Sequence, residues 1–195
     1  LTCIKHFPGH GSAKGDTHKG FVDVTNTWQE SELEPYKLLI QKNKVDMIMT
    51  SHISHKNLDS DLPASMSHKI ITGILRNKLQ YNGVVVSDAV DMHALYKNHT
   101  LEDIVVKVVN SGTDIIVHAN QLQYDIDIGA KIYNIILKNV ANGKISKDRI
   151  YESYNRIKDM MHNRIKYSQV SQEIEKTKTF SFLQKVEHFL SLIHI

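Results

Sequence analysis

Four short apolar runs, each followed by a stretch with helical spacing, constrain this chain more than any other feature. They are Cys3 to Phe7, Val45 to Ile53, Gly83 to Asp88 and Thr113 to Ala119. Strands that are apolar almost throughout have both faces covered, which implies a parallel sheet under helices. Ser31-x-x-Glu34 has the form of a capping box, and Leu33, Tyr36, Leu39 and Ile40 follow at helical spacing. Ile70, Ile71, Ile74 and Leu75 make one face of a second helix. Ile104, Val105, Val108 and Val109 make that of a third, opened by Thr100-x-x-Asp103. A fourth runs from Ile128 to Val140 and stops near Asn142-Gly143, and Ser146 to Tyr167 reads as a further amphipathic helix on the end of the fold. The expected class is α/β. An open doubly wound sheet and a closed (β/α)8 barrel both accommodate the pattern; a barrel takes roughly 250 residues, so four βα units would be about half of one.

Composition sets outer bounds. Of 195 residues, 41% are hydrophobic and 23% charged, ordinary globular usage that disfavours disorder and collagen-like or membrane classes. The formal net charge is +3 and the lysines are scattered along helical faces, so no nucleic-acid partner is implied. A single cysteine, Cys3, excludes an internal disulfide framework and a cysteine-rich zinc knuckle. No apolar run approaches the roughly 20 residues that span a bilayer. Leu1-Thr2-Cys3-Ile4 opens directly as a strand without an initiator Met, as expected of a piece of a longer polypeptide. A cytoplasmic and a secreted or periplasmic location therefore both stay open. Residues 1–167 form the folded portion on this reading. From 168 to 195 the pattern weakens, and the closing Leu190-Ser-Leu-Ile-His-Ile run, with no polar exit, reads as an artefactual tail as much as protein.

Chemistry-bearing side chains concentrate in Lys5-His6-Phe7-Pro8-Gly9-His10-Gly11-Ser12-Ala13-Lys14-Gly15-Asp16-Thr17-His18, a glycine-rich loop leaving the first strand. Loops at the C-terminal ends of parallel strands are where such folds place their sites. Pro8 and the glycines enforce a compact path that lets Lys5 and His6 project from the strand end while Asp16 and His18 return toward it. A phosphate-cradling loop fails, because the Gly-Lys-Ser/Thr ending is absent. A metal site is open, with His6, His10, Asp16 and His18 as ligands and His52 and His55 in reserve, although a chain with 12 histidines produces such coincidences. A turn whose histidines only satisfy backbone groups is the third reading. In Val84-Val85-Val86-Ser87-Asp88-Ala89-Val90-Asp91-Met92 a buried strand delivers a carboxylate at its end. Burial forbids a free charge within the strand, so Asp88 belongs where the strand opens into the site, as a candidate nucleophile or as N-cap of the next helix. Asp91 reads as a first-turn acid of that helix.

Taken together, Lys5-His6-Phe7-Pro8-Gly9-His10-Gly11, Asp16-x-His18 and Ser87-Asp88-Ala89-x-Asp91-Met92 resemble the β-N-acetylglucosaminidase branch of glycoside hydrolase family 3, over about Thr2 to Asn120. The resemblance implies a partial TIM (β/α)8 barrel, the later βα units plus a C-terminal helix. It implies Asp88 as nucleophile, His18 as acid/base, Asp16 as its partner, and Lys5 with His6 as ligands of sugar hydroxyls. The implied reaction is retaining hydrolysis through a glycosyl-aspartate, releasing terminal β-linked N-acetylglucosamine from an oligosaccharide, with no cofactor and no metal. That chemistry suits the residues: retention needs a carboxylate to trap the oxocarbenium-like centre and a second group to protonate the leaving oxygen and then activate water. Imidazole does both, since its unperturbed pKa lies near 6.5. Another β-glycosidase, a glycosyl phosphorylase, a metal-dependent barrel hydrolase and a catalytically dead sugar-binding protein are the alternatives. Binding alone needs no nucleophile. The family's further sugar-binding arginines and aspartate, from earlier strands, have no counterpart in this sequence.

Overall fold

A computed structural model describes residues 1–17, 20, 22–121 and 124–164. The chain runs β1 (Cys3–Phe7), a 3-10 turn (Glu30–Leu33), α1 (Glu34–Gln41), β2 (Met47–Thr50), a second 3-10 turn (Ala64–Met66), a π-helix (Lys69–Lys78) and β3 (Val84–Ala89). Then come α2 (His93–Tyr96), α3 (Leu101–Ser111), β4 (Ile115–Val117), α4 (Ile128–Ala141) and α5 (Lys147–Arg164). All four strands pair in parallel, in the order β1-β2-β3-β4. The architecture is α/β, successive βα units followed by a closing helix. The expected tail, 168–195, lies outside the described residues, as do the last residues expected of the final helix.

Register explains where the core sits. Ile4 pairs with Ile48 and Ile48 with Val85, a row across three strands on one face. Against that row pack Phe7, Leu33, Tyr36, Ile70, Ile71 and Leu75, all buried. Val109, Val140 and Ile145 bring α4 and the start of α5 onto α3, and Met66, Val90, Leu95, Ile104 and Val108 seal α3 under β3. Burial of each large aliphatic side chain contributes about 1.5–3 kcal/mol.

Two local readings change. Ser31 does not cap a helix: it lies inside the 3-10 turn, Leu33 is the residue before α1, and Pro35 stands in the first turn. Proline tolerates that place because its missing N–H would have no intrahelical partner there. The second helix is wound as a π-helix, with Leu79 N–H donating to Ile74 O. Its buried residues are Ile70, Ile71, Leu75 and Arg76. The wider turn carries Arg76 inward, where it reaches Asp114. Thr100 does open α3, its hydroxyl accepting the Asp103 N–H at 3.2 Å. Gly112 ends the same helix at φ +112, and a Cβ there would stand 2.7 Å from Thr72 Oγ1.

At the N-terminal end of the sheet one buried carboxylate ties the layers together. Asp114, its side chain fully buried, accepts from Arg76, Arg149 and Arg156, from Ser153 Oγ and from Val85 N–H. Arg149, Ser153 and Arg156 share one face of α5, so this helix docks through an ionic seam as well as through Ile150, Tyr151 and Tyr154.

Candidate active site

Two interruptions of the sheet shape the opposite, C-terminal end of the strands. Between β1 and β2 the register passes from Ile4↔Ile48 to Phe7↔Thr50, three residues against two, so the irregularity falls at Lys5 and His6. Between β3 and β4 it passes from Val86↔Ile115 to Ala89↔Val117, and falls at Ser87 and Asp88. Bulges of this kind re-aim side chains that a regular pleat would send to alternate faces. β1 and β3 are separated by β2, a backbone distance of roughly 9–10 Å. Their two irregular segments nevertheless converge: His6 Nε2 lies 3.9 Å from Asp88 Oδ2.

Asp88, one residue before the end of β3, is half-buried, with 20% of its side chain exposed, and His6 retains 29%. The Ala89 N–H donates to Asp88 Oδ1 at 2.8 Å, which leaves Oδ2 as the oxygen turned toward His6. Asp88 does not cap the following helix, which begins only at His93 after Met92. Lys5 is exposed on the same strand end. The Lys5–His6 and Phe7–Pro8 peptide bonds are cis.

The loop after β1 is held from several sides. Gly9 N–H donates to His6 O, Ala13 N–H to His10 O, and Trp28 Nε1 to Pro8 O. Gly9 sits at φ +126, and a Cβ there would come within 2.6 Å of Glu32. Only glycine meets both conditions without strain. Asp16 is exposed on this loop and, with Gly15, Gly20 and Val22, faces His93, Tyr96 and Lys97 across a cavity of about 680 Å³. His18 lies outside the described residues. The structure thus brings His6 and Asp88 together and places Asp16 on the adjoining loop.

Further polar groups line the strand ends: His52, which the sequence offers only as a reserve metal ligand, His118 and Asp91. His52, directly after β2, is 1% exposed; Nδ1 meets Ser65 Oγ at 2.7 Å and Nε2 meets Ala89 O at 2.9 Å. His118, after β4, accepts the Asn120 N–H at Nδ1 and stands 3.7 Å from Asp91 Oδ2. Asp91 Oδ1 accepts from Ala119 N–H at 2.9 Å. Asp91 is therefore no first-turn acid: it precedes α2 and ties the β3–α2 segment to the one after β4. A buried strand-end histidine such as His52 was visible in sequence as Thr50-Ser51-His52, but nothing in that spacing distinguished it from the other histidines.

Among the described residues, no group of three or more His, Cys, Asp or Glu side chains gathers as a metal-binding set. His55, one of the ligands held in reserve, is buried edge-on against Trp28. No helix among the described residues is long and apolar enough to cross a membrane.

Known proteins resemble this chain in sequence and in fold. The chain is 35% identical over 129 residues to β-hexosaminidase A of Pseudoalteromonas piscicida, covering 59% of this chain and 22% of that protein. It superposes on the β-N-acetylglucosaminidase of Thermotoga maritima with a TM-score of 0.67 at 34% identity, covering 82% of this chain and 34% of the other. With CbsA of Thermotoga neapolitana in its zinc-bound form the TM-score is 0.74 at 30% identity, covering 83% and 35%. In each case the chain spans about a third or less of the relative's length. The model for the glycosyl hydrolase family 3 N terminal domain matches residues 1–160, and the chain belongs to that family, its strands forming part of the family's TIM-barrel domain.

Proposed function

We propose that the polypeptide carrying this chain is a retaining glycoside hydrolase that releases terminal β-linked N-acetylglucosamine, with residues 1–167 supplying the later βα units of its barrel. The observation that carries the reading is the convergence of His6 and Asp88 from two bulged strands, with one Asp88 oxygen held by the Ala89 N–H and the other turned toward His6. The names of the relatives, β-hexosaminidase and β-N-acetylglucosaminidase, support the substrate class.

In this mechanism Asp88 Oδ2 attacks the anomeric carbon while the glycosidic oxygen leaves with a proton from His18. Asp16 orients the imidazole and favours its charged form. His18, now neutral, then takes a proton from water, whose oxygen displaces Asp88 and restores the β-anomer. His6 and Lys5 present donors to the sugar's hydroxyls, and His6 Nε2 stands 3.9 Å from the attacking Oδ2. No step calls for a metal or an organic cofactor.

The test is the configuration of the first product, read by proton NMR during hydrolysis of an aryl N-acetyl-β-glucosaminide, with intact-mass detection of a glycosyl adduct on the peptide containing Asp88. Initial β-anomer and an adduct lost in Asp88→Ala are expected. Initial α-anomer, or turnover by Asp88→Ala, would defeat the proposal. Repeating the assay with inorganic phosphate separates hydrolysis from phosphorolysis by the appearance of sugar 1-phosphate.

A further inference from the structure

We infer that His52 is the positioning residue that sets the direction of Asp88; the inference rests on the reading of Asp88 as the nucleophile. Registered pairing between β2 and β3 ends at Met49↔Val86, and β3 is irregular from Val86 to Ala89 on its β4 side. Asp88 therefore stands where the regular ladder has stopped on one side and is broken on the other. Something other than strand pairing must fix its backbone, because a peptide released from the ladder regains rotational freedom.

Side chains, together with one backbone bond beyond the irregularity, supply what the regular ladder does not. The peptide group joining Ala89 to Val90 is gripped at both ends: His52 Nε2 meets the Ala89 carbonyl at 2.9 Å, and the Val90 N–H donates to Val117 O at 2.9 Å. Ser87 Oγ accepts the Val117 N–H at 2.9 Å. Ala89 is also the residue whose N–H holds Asp88 Oδ1 at 2.8 Å. Rotation about Ala89 would swing that N–H and with it the carboxylate.

The ring of His52 is well placed for the task. A carbonyl only accepts, so Nε2 carries a proton, and Nδ1 pairs with the Ser65 hydroxyl at 2.7 Å. Ser65 is itself fully buried. Its N–H donates to Ser51 O, and its carbonyl accepts from Ser111 Oγ. The line of support runs from α3 and β2 through Ser65 and His52 to Ala89 and the carboxylate. Such support is what holds a reacting group within the fraction of an ångström that productive geometry demands.

The experiment compares His52→Leu, His52→Gln and Ser65→Ala with wild type in the full polypeptide, using single-turnover glycosylation by an aryl N-acetyl-β-glucosaminide, KM and thermal midpoint. Leucine keeps the bulk and loses both hydrogen bonds; the glutamine amide nitrogen falls near Nε2 and restores the donor to Ala89. His52→Leu is expected to lower the glycosylation constant roughly 100-fold with KM within about three-fold, and His52→Gln to recover to within about ten-fold of wild type. A merely structural histidine would lower the thermal midpoint and leave the constant of the folded enzyme unchanged. A leucine variant within about three-fold of wild type, or a glutamine variant as slow as the leucine one, overturns the proposal. Where His52→Leu does not fold, Ser65→Ala decides: a loss of about ten-fold at unchanged KM is expected, and a wild-type constant overturns it. Turnover surviving in Asp88→Ala sinks the nucleophile assignment and this proposal with it, whereas an inactive Asp88→Ala beside an unimpaired His52→Leu sinks the positioning alone.

Discussion

Replacing Asp114 by alanine should be among the most damaging single changes available outside the site. Its side chain is fully buried and receives Arg76 at 2.6 Å, Arg149 at 2.8 Å, Arg156 at 3.1 Å, Ser153 at 2.8 Å and the Val85 N–H at 2.9 Å. Removing one partner of a buried ion pair costs about 3–5 kcal/mol. Three cations lose the same anion here, yet the cost does not triple. Arg149 and Arg156 keep Glu152 at 3.2 and 3.4 Å and are 11% and 23% exposed, whereas Arg76 is 8% exposed and has Asp114 as its carboxylate. Arg76 does retain the carbonyls of Tyr81, Gly83 and Gly112, which prevents complete loss of its hydrogen bonds. The expected loss is therefore about 3–5 kcal/mol, a fall in Tm on the order of 10 °C for a unit of this size.

The same carboxylate makes an acid-side prediction. Burial pushes the Asp114 pKa up, but Arg76, the Val85 N–H and Arg149 more than offset it, and the net shift is downward. A depressed folded-state value means that ionised Asp114 contributes its full stability above the unfolded pKa of about 3.9 and loses it as pH falls through the lower folded value. Denaturant unfolding of wild type, Asp114→Ala and Asp114→Asn between neutral pH and about pH 3 reads both effects. Wild type should lose more stability on acidification than either variant. A neutral-pH difference below about 1 kcal/mol would show that backbone carbonyls alone satisfy the arginines and would refute the reasoning.

Gly9→Ala should leave the fold largely intact but lower kcat by at least about ten-fold, because a Cβ at φ +126 and 2.6 Å from Glu32 must displace the loop beside His6; kinetics with circular dichroism on the same sample checks this. His18→Ala should give a burst of nitrophenol from a nitrophenyl substrate and little reaction with an oligosaccharide, since acid help matters least for a good leaving group while water still lacks its base; equal loss on both substrates without a burst would remove His18 from the acid/base role. Prolonged chelation should leave turnover unchanged, and loss restored by zinc would favour the metal-dependent alternative, a comparison sharpened by the zinc-bound Thermotoga neapolitana relative.

How much was legible in sequence depended on whether a feature is local. Cys3–Phe7 and the Thr100 cap were read at their observed positions because apolar runs and N-cap chemistry act within a few residues. The run from Val45 to Ile53 shortened to Met47–Thr50, since β2 pairs only as far as its neighbours stay in register. The capping box at Ser31 and the regular second helix failed for a tertiary reason. Pro35 offered a competing start, and the spacing of Ile70, Ile71, Ile74 and Leu75 carries no sign that Arg76 must turn inward to meet Asp114, 38 residues away.

At the site the same division holds, and it decides which residues a motif can name. Lys5, His6 and Asp88 were nameable because each lies on or beside a strand end in a distinctive local string. What brings His6 and Asp88 to 3.9 Å is a pair of register shifts, and a register shift is a relation between two strands, with no trace in either one read alone. The role of His52, named in sequence only as a reserve metal ligand, was not legible for a related reason: its chemistry lies in what its two nitrogens reach, Ser65 13 residues on and Ala89 37 residues on, and both partners are generic until the fold sets them beside the ring. A bulge that turns a carboxylate toward substrate also removes the hydrogen bonds that would hold it. Support for a bulged residue must then come from side chains on the neighbouring strands, which makes buried polar residues one strand away from Asp88 the places to look for further control of its reactivity.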